Sequence, residues 1–494
     1  MRALLAACAW CGLALALCLA GAGAASAQAL TDCRVAGLRN SVKCGVVQRA
    51  LDPLLPDGPK IDVHYVVVPA MARRKLPDPV FLIAGGPGQS AIDVAPQTMA
   101  LFSRLNNRRD IVFVDQRGTG RSAPLECPQA RHETLAEQSD IDSQLRLLRR
   151  CRTELLKRPD LQVPGALGFF TTTLAMQDLD AVRRQLGAPQ LNLVGVSYGT
   201  RAVLEYMRQF PGAVRRSVLD SVAPPDMILP TSFSTDGQAA FDALLAACDR
   251  EADCTTAYPT LRADWAALLK SLPKPAVVPE PLSGTPQHVT LTRDMVLGAV
   301  RGALYSPAIA AALPATISAA AAGRYEALAG MGSLLGSRRG LRLAMGMHFS
   351  VVCAEDAPLI DQATDVPGAD FGASQATIYR RACADWPRGA VPAAFYTLPA
   401  STTPTLLLSG GLDPATPPRH GARVAKALGP AAQHVIVPNA GHSVLGIGCA
   451  RELLYRFIDA ADDAAASAVD ASCLKNIPRP GVFRPIEPDA GDAK

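Results

Sequence analysis

The sequence lacks clustered charge. Its 49 Lys and Arg residues against 44 Asp and Glu residues give a formal net charge of +5 over 494 residues, and the basic side chains are scattered along the chain. Proteins that bind nucleic acid or an anionic membrane surface carry runs or patches of Lys and Arg. We therefore expect neither of these partners, and nothing in the composition predicts an oligomeric state.

Long apolar runs are missing except at the start of the chain. Residues 1–27 combine Arg2 with an apolar stretch and a closing Ala-Ser-Ala, the pattern of a secretory signal cleaved before Gln28. A transmembrane anchor is the alternative, but the stretch is short and ends in Gly and Ala. The sequence thus predicts an exported protein, periplasmic or secreted, without stable membrane insertion after the signal is removed.

After residue 27 the sequence has no Cys-x-x-Cys and no His cluster beside a cysteine, which argues against a zinc site. Ten of the 13 cysteines remain once the signal is removed, an even number in an oxidising compartment. Short loops close at low entropic cost, so we expect disulfides between sequence neighbours. The expected pairs are Cys33 and Cys44, Cys127 and Cys151, Cys248 and Cys254, Cys353 and Cys383, and Cys449 and Cys473.

Short apolar strands alternate with helical patterns in residues 28–225 and again in residues 401–494, which predicts an α/β fold with a mostly parallel sheet and helices on both faces. Residues 226–400 break this rhythm. They are rich in Ala and mostly helical in pattern, with Pro-rich connectors. Because the strand pattern resumes after them, we interpret residues 226–400 as a large helical cap inserted into one α/β core that ends in an irregular tail.

The stretch LNLVGVSYGT places Ser197 between Gly195 and Gly199, after a predicted strand and before a predicted helix. A Gly-x-Ser-x-Gly motif in this context is typical of a sharp turn that presents a nucleophilic serine at the edge of the sheet. The motif alone is weak, and a plain strand-to-helix turn is the alternative reading.

A serine nucleophile needs a base, and the base needs an orienting acid. In this architecture the expected order is serine, acid, histidine. His442 follows a late strand in a loop of small residues and is the best base, whereas His420 begins a helix and His434 begins a strand. Asp413 follows the preceding strand and is the favoured acid, with Asp220, at the end of the strand after Ser197, as the competitor.

The Gly-rich loop AGGPG, residues 84–88, lacks the Lys and Ser or Thr that a phosphate-binding loop requires. It follows an early strand, where the second oxyanion donor of a serine hydrolase is expected. We predict that the backbone N–H groups of Gly86 and Tyr198 form the oxyanion hole. No metal and no organic cofactor is expected.

Five motifs in this order, GGPG, DQRGTGRS, GVSYG, GGLDPATP and NAGH, resemble the α/β-hydrolase fold. More narrowly, they are similar to serine aminopeptidases of the proline iminopeptidase and secreted tripeptidyl aminopeptidase group. The resemblance covers nearly the whole mature chain, and it implies removal of N-terminal residues from peptides, with Ser197, Asp413 and His442 as the triad. One departure is Ala84, where the group usually has histidine, and this leaves the bracing of the GGPG loop unexplained.

An aminopeptidase must bind a free α-ammonium, which calls for carboxylates near the nucleophile. The resemblance implies such a site in VVCAEDAP, where we expect Glu355 and Asp356 to bind the substrate; two solvated acids at a helix end are the alternative. Two rival functions remain: an esterase that uses the same triad on small ester substrates, and a non-catalytic binding protein that retains the fold.

Overall fold

The computed structural model describes residues 30–127, 134, 137, 140–281, 283–334 and 342–484. The predicted signal segment, residues 1–27, lies outside this part of the chain. Among the described helices, none combines the length and the apolar character that a membrane span requires.

Nine of the eleven strands in the described residues form one sheet, in the spatial order β1-β2-β3-β5-β4-β6-β7-β10-β11. Neighbouring strands are antiparallel from β1 to β5 and parallel from β5 to β11. The predicted mostly parallel α/β sheet is therefore confirmed. The strands are β1 (Thr31–Cys33), β2 (Val42–Ala50), β3 (Lys60–Val68), β4 (Val80–Ile83), β5 (Ile111–Val114), β6 (Leu191–Val196), β7 (Val214–Asp220), β8 (Lys274–Pro279), β9 (Pro286–Leu291), β10 (Thr405–Gly410) and β11 (Ala432–Val437).

Most of the sequence between the strands is helical. Within the described residues the α-helices are α1 (Ala91–Thr98), α2 (Ile141–Leu155), α3 (Thr172–Gln185), α4 (Tyr198–Gln209), α5 (Leu229–Arg250), α6 (Ala252–Ala257), α7 (Leu261–Lys270), α8 (Arg293–Leu304), α9 (Pro307–Ala310), α10 (Leu313–Ala321), α11 (Glu326–Leu334), α12 (Met345–Glu355), α13 (Ser374–Cys383), α14 (Pro418–Leu428), α15 (Ala450–Asp459) and α16 (Asp463–Ser467).

The central strands are apolar along their whole length because both faces of the sheet are covered. In β4, Phe81 and Ile83 belong to one apolar core, which includes side chains of α3 and α4. Val80 and Leu82 belong to the core on the opposite face, which includes side chains of α1 and α15. Successive residues of one strand thus serve different cores, as the two-residue period of a strand requires.

The chain between β7 and β10 builds an apolar core of its own from α5, α7, α8 and α10, in which Phe241 packs against Trp265 with ring centroids 4.7 Å apart. It also contains the antiparallel hairpin of β8 and β9, which the sequence analysis did not predict. Val278 and Val289 of this hairpin are buried in the cap core, so tertiary burial selects the strand conformation in a helix-rich segment.

Not all of residues 226–400 packs in this separate core. Met347 and Val351 of α12 belong to the core that contains side chains of α3, α4 and one face of the central sheet. The domain boundaries at residues 226 and 400 stay predictions.

The ten cysteines after residue 27 form five disulfides, each between sequence neighbours as the spacing predicts. The bond between Cys353 and Cys383 joins α12 to α13, and the bond between Cys449 and Cys473 fixes the C-terminal segment to the start of α15. Crosslinks of this kind stabilise a fold mainly by restricting the unfolded chain.

The register of the parallel strands brings their carboxyl ends to one edge. Val196 of β6 pairs with Asp220 of β7, Asp220 pairs with Leu408 of β10, and Gly410 of β10 pairs with Val437 of β11. Residues that directly follow these strands therefore meet at one edge of the sheet, where an open α/β sheet binds its ligands.

Candidate active site

Ser197 lies in the turn between β6 and α4 and adopts φ 57° and ψ −127°, a conformation that L-residues rarely take. Its side chain is partly exposed, and its hydroxyl makes no capping bond to the helix. Strained backbone of this kind persists where the surrounding structure enforces it and is concentrated at functional sites. The geometry is that of a sharp turn presenting a serine, not of a plain strand-to-helix connection.

The two glycines of the motif are required by close backbone contacts. A Cβ atom at Gly199 would lie 2.2 Å from the carbonyl oxygen of Ile83 in β4, and one at Gly195 would lie 2.6 Å from the carbonyl oxygen of Gly199. Neither position has room for a side chain. The pattern Gly-x-Ser-x-Gly therefore records how tightly the turn packs against the neighbouring strand.

Asp413 and His442, which follow β10 and β11, form a hydrogen-bonded pair. Nδ1 of His442 lies 2.8 Å from Oδ2 of Asp413. The carboxylate also accepts hydrogen bonds from the N–H groups of Ala415 and Thr416 and from the hydroxyl of Thr416. Because a carboxylate only accepts, Nδ1 carries the proton of the neutral imidazole and Nε2 is left as an acceptor.

The pair shifts both pKa values toward the charged forms. Burial opposes ionisation of Asp413, but the charge and hydrogen bond of His442 outweigh it and lower the pKa of Asp413 to about 2. Burial likewise opposes protonation of His442, and the attraction of Asp413 overcomes it, so the pKa of His442 is raised above its ordinary 6.5. An imidazolium formed at His442 is thus stabilised by its partner.

Asp220, the competing acid, has a different place in the structure. Its carboxylate accepts hydrogen bonds from the hydroxyl of Ser443 and from the N–H groups of Val444 and Leu445, and its own carbonyl accepts the N–H of Ser197. Asp220 therefore connects the Ser197 turn to the loop that carries His442. The imidazole itself is hydrogen-bonded to Asp413.

The GGPG loop lies directly against the Ser197 turn, since a Cβ atom at Gly85 would be 3.2 Å from Cβ of Ser197. The N–H of Gly85 donates to Oε1 of Gln89, whereas the N–H of Gly86 has no acceptor in the described part of the chain. Tyr198 is the first residue of α4, so its N–H has no acceptor within the helix. Both N–H groups predicted for the oxyanion hole are thus available.

A histidine that the sequence analysis did not select braces the GGPG loop. His348 of α12 is buried, with Nδ1 3.3 Å from the carbonyl oxygen of Pro87 and Nε2 2.8 Å from the hydroxyl of Tyr379. Burial lowers the pKa of His348 to about 4, so the ring is neutral, donating to Pro87 and accepting from Tyr379. In this chain, where Ala84 replaces the expected histidine, bracing comes from a helix more than 250 residues away.

Loss of this brace is expected to reduce catalysis more than binding. For His348→Leu we expect kcat to fall about 10-fold to 100-fold with little change in KM, because a small displacement of an oxyanion donor weakens transition-state stabilisation. His348→Asn places an amide N–H near the position of Nδ1 and should recover part of the loss. Steady-state kinetics of the two variants provide the test; equal losses in both, accompanied by equal losses of thermal stability, would indicate a packing role only.

Glu355 and Asp356 lie at the end of α12, but inside the protein. Asp356 forms a two-pronged ion pair with Arg201 of α4, with N–O distances of 3.0 and 3.1 Å. Glu355 accepts hydrogen bonds from the N–H and the hydroxyl of Thr172, and burial raises its pKa to about 7.

Both carboxylates are 1% exposed, so neither is a solvated acid and neither is open to a substrate amine. The structure instead gives them a structural role that joins α3, α4 and α12. The structure does not bring Glu355 and Asp356 into the candidate site as predicted. Both carboxylates are buried, and both lie within ion-pair distance of Arg201.

The chain between β7 and β10 contacts His442 through Tyr305, which follows α8. The carbonyl oxygen of Tyr305 accepts the N–H of His442 at 2.9 Å, and the two rings lie 4.8 Å apart between centroids. Both side chains are partly exposed. No local sequence pattern predicts the contact between Tyr305 and His442, since it depends on tertiary packing.

Two segments of the chain match known family models, and each segment contains some of the candidate site residues. Residues 78–246 match the model described as alpha/beta hydrolase fold, and they contain Gly86, Ser197 and Tyr198. Residues 369–473 match the model described as TAP-like protein, and they contain Asp413 and His442.

Curated relatives include a protease, an aminopeptidase and an esterase. Serine protease Hip1 of Mycobacterium tuberculosis is 27% identical over 414 residues, which is 78% of this chain and 79% of that protein. Tripeptidyl aminopeptidase of Streptomyces lividans is 30% identical over 196 residues, covering 38% of this chain and 36% of that protein. Carboxylesterase B of Mycobacterium tuberculosis is 27% identical over 435 residues, covering 79% and 78%.

The sheet order, the strained serine turn and the two matched segments agree with one another and with the resemblance read from the motifs. The chain has the α/β-hydrolase fold, and it is a serine hydrolase.

Proposed function

We propose that this serine hydrolase is an exported aminopeptidase, which releases N-terminal residues or short peptides through a triad of Ser197, His442 and Asp413. The observation that carries the catalytic assignment is the hydrogen bond between Asp413 and Nδ1 of His442 at the sheet edge that also bears Ser197. It leaves Nε2 unprotonated, which is the form that can accept the proton of a serine hydroxyl.

The proposed mechanism assigns one role to each of these residues. Nε2 of His442 removes the proton of Ser197 as Oγ attacks the scissile carbonyl, and Asp413 stabilises the imidazolium that forms. The N–H groups of Tyr198 and Gly86 bind the oxyanion of the tetrahedral intermediate. The imidazolium then protonates the leaving amine, and a water molecule, deprotonated by His442, hydrolyses the acyl-enzyme and frees Ser197.

Peptide substrates and export are supported by separate observations. Two of the relatives described above are a serine protease and a tripeptidyl aminopeptidase. Export is supported by the signal pattern of residues 1–27 and by five disulfides, which persist in oxidising compartments. The segment 226–400 would select the substrate, because it contributes Tyr305 beside His442.

Ester hydrolysis is the second candidate, favoured by the similarity to carboxylesterase B over 79% of this chain. The triad does not discriminate between the two, since an acyl-enzyme forms from an amide or an ester alike. The surroundings of the triad decide which substrate is oriented for attack.

A matched substrate set distinguishes these functions. We expect the enzyme to cleave short peptide amides with a free N-terminus at least about 10-fold faster, in kcat/KM, than the same peptides with an acetylated N-terminus, because an aminopeptidase recognises the free α-ammonium that acetylation removes. Ser197→Ala should cleave neither. Equal rates on the two peptides would contradict the aminopeptidase, and turnover of p-nitrophenyl esters with no peptide cleavage would establish the esterase instead.

A further inference from the structure

Arg301 lies beside the base of the site without an anionic partner. It belongs to α8, and its guanidinium lies 4.0 Å above the centroid of the Phe233 ring. One Nη donates to the hydroxyl of Tyr305 at 3.1 Å, and the Tyr305 ring packs against His442. All four residues are partly exposed, and Tyr305 contacts both the guanidinium and the imidazole.

Among the described residues, Arg301 forms no salt bridge, and its Nε is buried without a hydrogen-bond partner. Three buried arginines of this chain differ in having an anionic partner, although the Nε of Arg201 also has no hydrogen-bond partner. Arg109, Arg117 and Arg201 are each paired with an aspartate. A guanidinium has five N–H donors, and a partly desolvated one left unpaired is costly, so such a group indicates a site that an anion completes.

The charge of Arg301 acts on both sides of the site. It opposes protonation of His442, although burial and Asp413 have larger effects on that pKa. Burial raises the pKa of Tyr379, and the charge of Arg301 partly opposes this rise. Tyr379 is the residue whose hydroxyl is hydrogen-bonded to His348, which contacts the GGPG loop. Arg301 therefore lies within electrostatic reach of the base and of the brace behind the predicted oxyanion hole.

We propose that Arg301 binds a carboxylate of the substrate, so that the enzyme prefers substrates carrying a carboxylate close to the scissile bond. The inference rests on the proposed site of Ser197 and His442 and specifies its substrate class. A carboxylate fits because the two Nη groups form a planar fork that binds two oxygens side by side, and the Nη that donates to Tyr305 keeps a second N–H for this purpose. Phe233 and Tyr305 hold this fork in place by stacking and hydrogen bonding.

A carboxylate next to the scissile bond has two sources in a short peptide: the side chain of Asp or Glu, or the free C-terminus. The substrates therefore form two pairs, one that differs only by Glu against Gln and one that differs only by a free C-terminal carboxylate against an amide. A third pair, the p-nitrophenyl monoesters of succinate and of butyrate, serves if the enzyme hydrolyses only esters. The neutral member of each pair reports whether the hydrolase works at all.

We expect the wild type to prefer the carboxylate member of at least one pair about 10-fold to 100-fold in kcat/KM. In Arg301→Met that ratio should fall to near one, with the neutral member changed by less than about threefold. Arg301→Lys keeps the charge but not the fork and should retain part of the ratio. Arg324→Met removes an exposed arginine of the same segment and should keep the full ratio.

A wild-type ratio near one in all three pairs, or an equal loss of both members in Arg301→Met, would overturn the proposal, the second outcome showing that Arg301 only packs. Failure of the proposed function has a different signature. In that case the wild type would cleave no neutral peptide, while the ester pair would still show whether Arg301 selects a carboxylate.

Discussion

Replacing Ser197 by alanine is expected to lower kcat by at least about 10⁴-fold, on peptide and ester substrates alike, because no other group can form the acyl-enzyme. The turn should persist, since its backbone is fixed by contacts of Gly195 and Gly199 and by the N–H of Ser197 on Asp220. The measurement is single-turnover and steady-state kinetics, combined with labelling by a fluorophosphonate probe. The probe should add one adduct to the wild type and none to the variant.

Ser318→Ala is the matched control, because it removes a hydroxyl that bonds Asp264 within the cap, far from the triad in the sequence. It should keep wild-type labelling and kcat. Labelling of Ser197→Ala at the wild-type rate would show that another residue is the nucleophile.

The strained backbone at Ser197 can be tested separately from catalysis, through the free energy of unfolding. At φ 57° alanine bears the same strain as serine, whereas glycine does not. Ser197→Gly is therefore expected to exceed Ser197→Ala in free energy of unfolding by about 1 kcal/mol, the reverse of their usual order. Chemical denaturation of the two inactive variants measures the difference.

Local patterns in the sequence were sufficient to predict which residues lie at the candidate site. Gly195 and Gly199 are predictable because a short turn between strand and helix leaves no room for Cβ atoms there. Asp413 and His442 are predictable because residues that follow parallel strands meet at one edge. The neighbour pairing of the cysteines is predictable for a similar reason, since each crosslink closes a short loop.

Roles that depend on distant parts of the chain were not predictable. Glu355 and Asp356 look like free acids in the sequence, but both are buried beside Arg201, which lies on a different helix. His348 is a single histidine in an apolar helix, and only tertiary packing brings it to Pro87. The pairs β8–β9 and His442–Tyr305 likewise follow from how the cap packs, which no short-range pattern records.

Substitution of Asp413, one of the two aspartates at the sheet edge, is expected to have the second large effect on catalysis. Asp413→Asn is expected to lower kcat about 10⁴-fold. The amide cannot stabilise an imidazolium, and its NH₂ group would favour the tautomer of His442 with Nε2 protonated, which cannot accept the proton of Ser197. The folded state should be retained, because the Asn oxygen can still accept the N–H groups of Ala415 and Thr416, which Asp413 binds now.

The pH dependence of kcat/KM provides an independent test of the role of His442. In the wild type, kcat/KM should rise with pH through an acidic limb above 6.5, since Asp413 raises the pKa of His442 and only the neutral ring acts as base. In Asp413→Asn the favourable charge is lost while burial remains, so the limb of the residual activity should move to lower pH. A limb that stays in place would show that the titrating group is not His442.

The variant Asp220→Asn tests whether Asp220 orients the imidazole of His442 or only stabilises the loop that carries it. Asp220 accepts three hydrogen bonds from residues 443–445 and none from the imidazole ring, so its loss should act mainly on stability, by about 2–3 kcal/mol in the free energy of unfolding. We expect kcat to fall far less than in Asp413→Asn, about 10-fold to 100-fold, as the loop carrying His442 loosens. If the order were reversed, with Asp220→Asn the more damaging to kcat at equal stability, Asp220 would be the orienting acid, and the short bond between Asp413 and His442 would not be the one used in turnover.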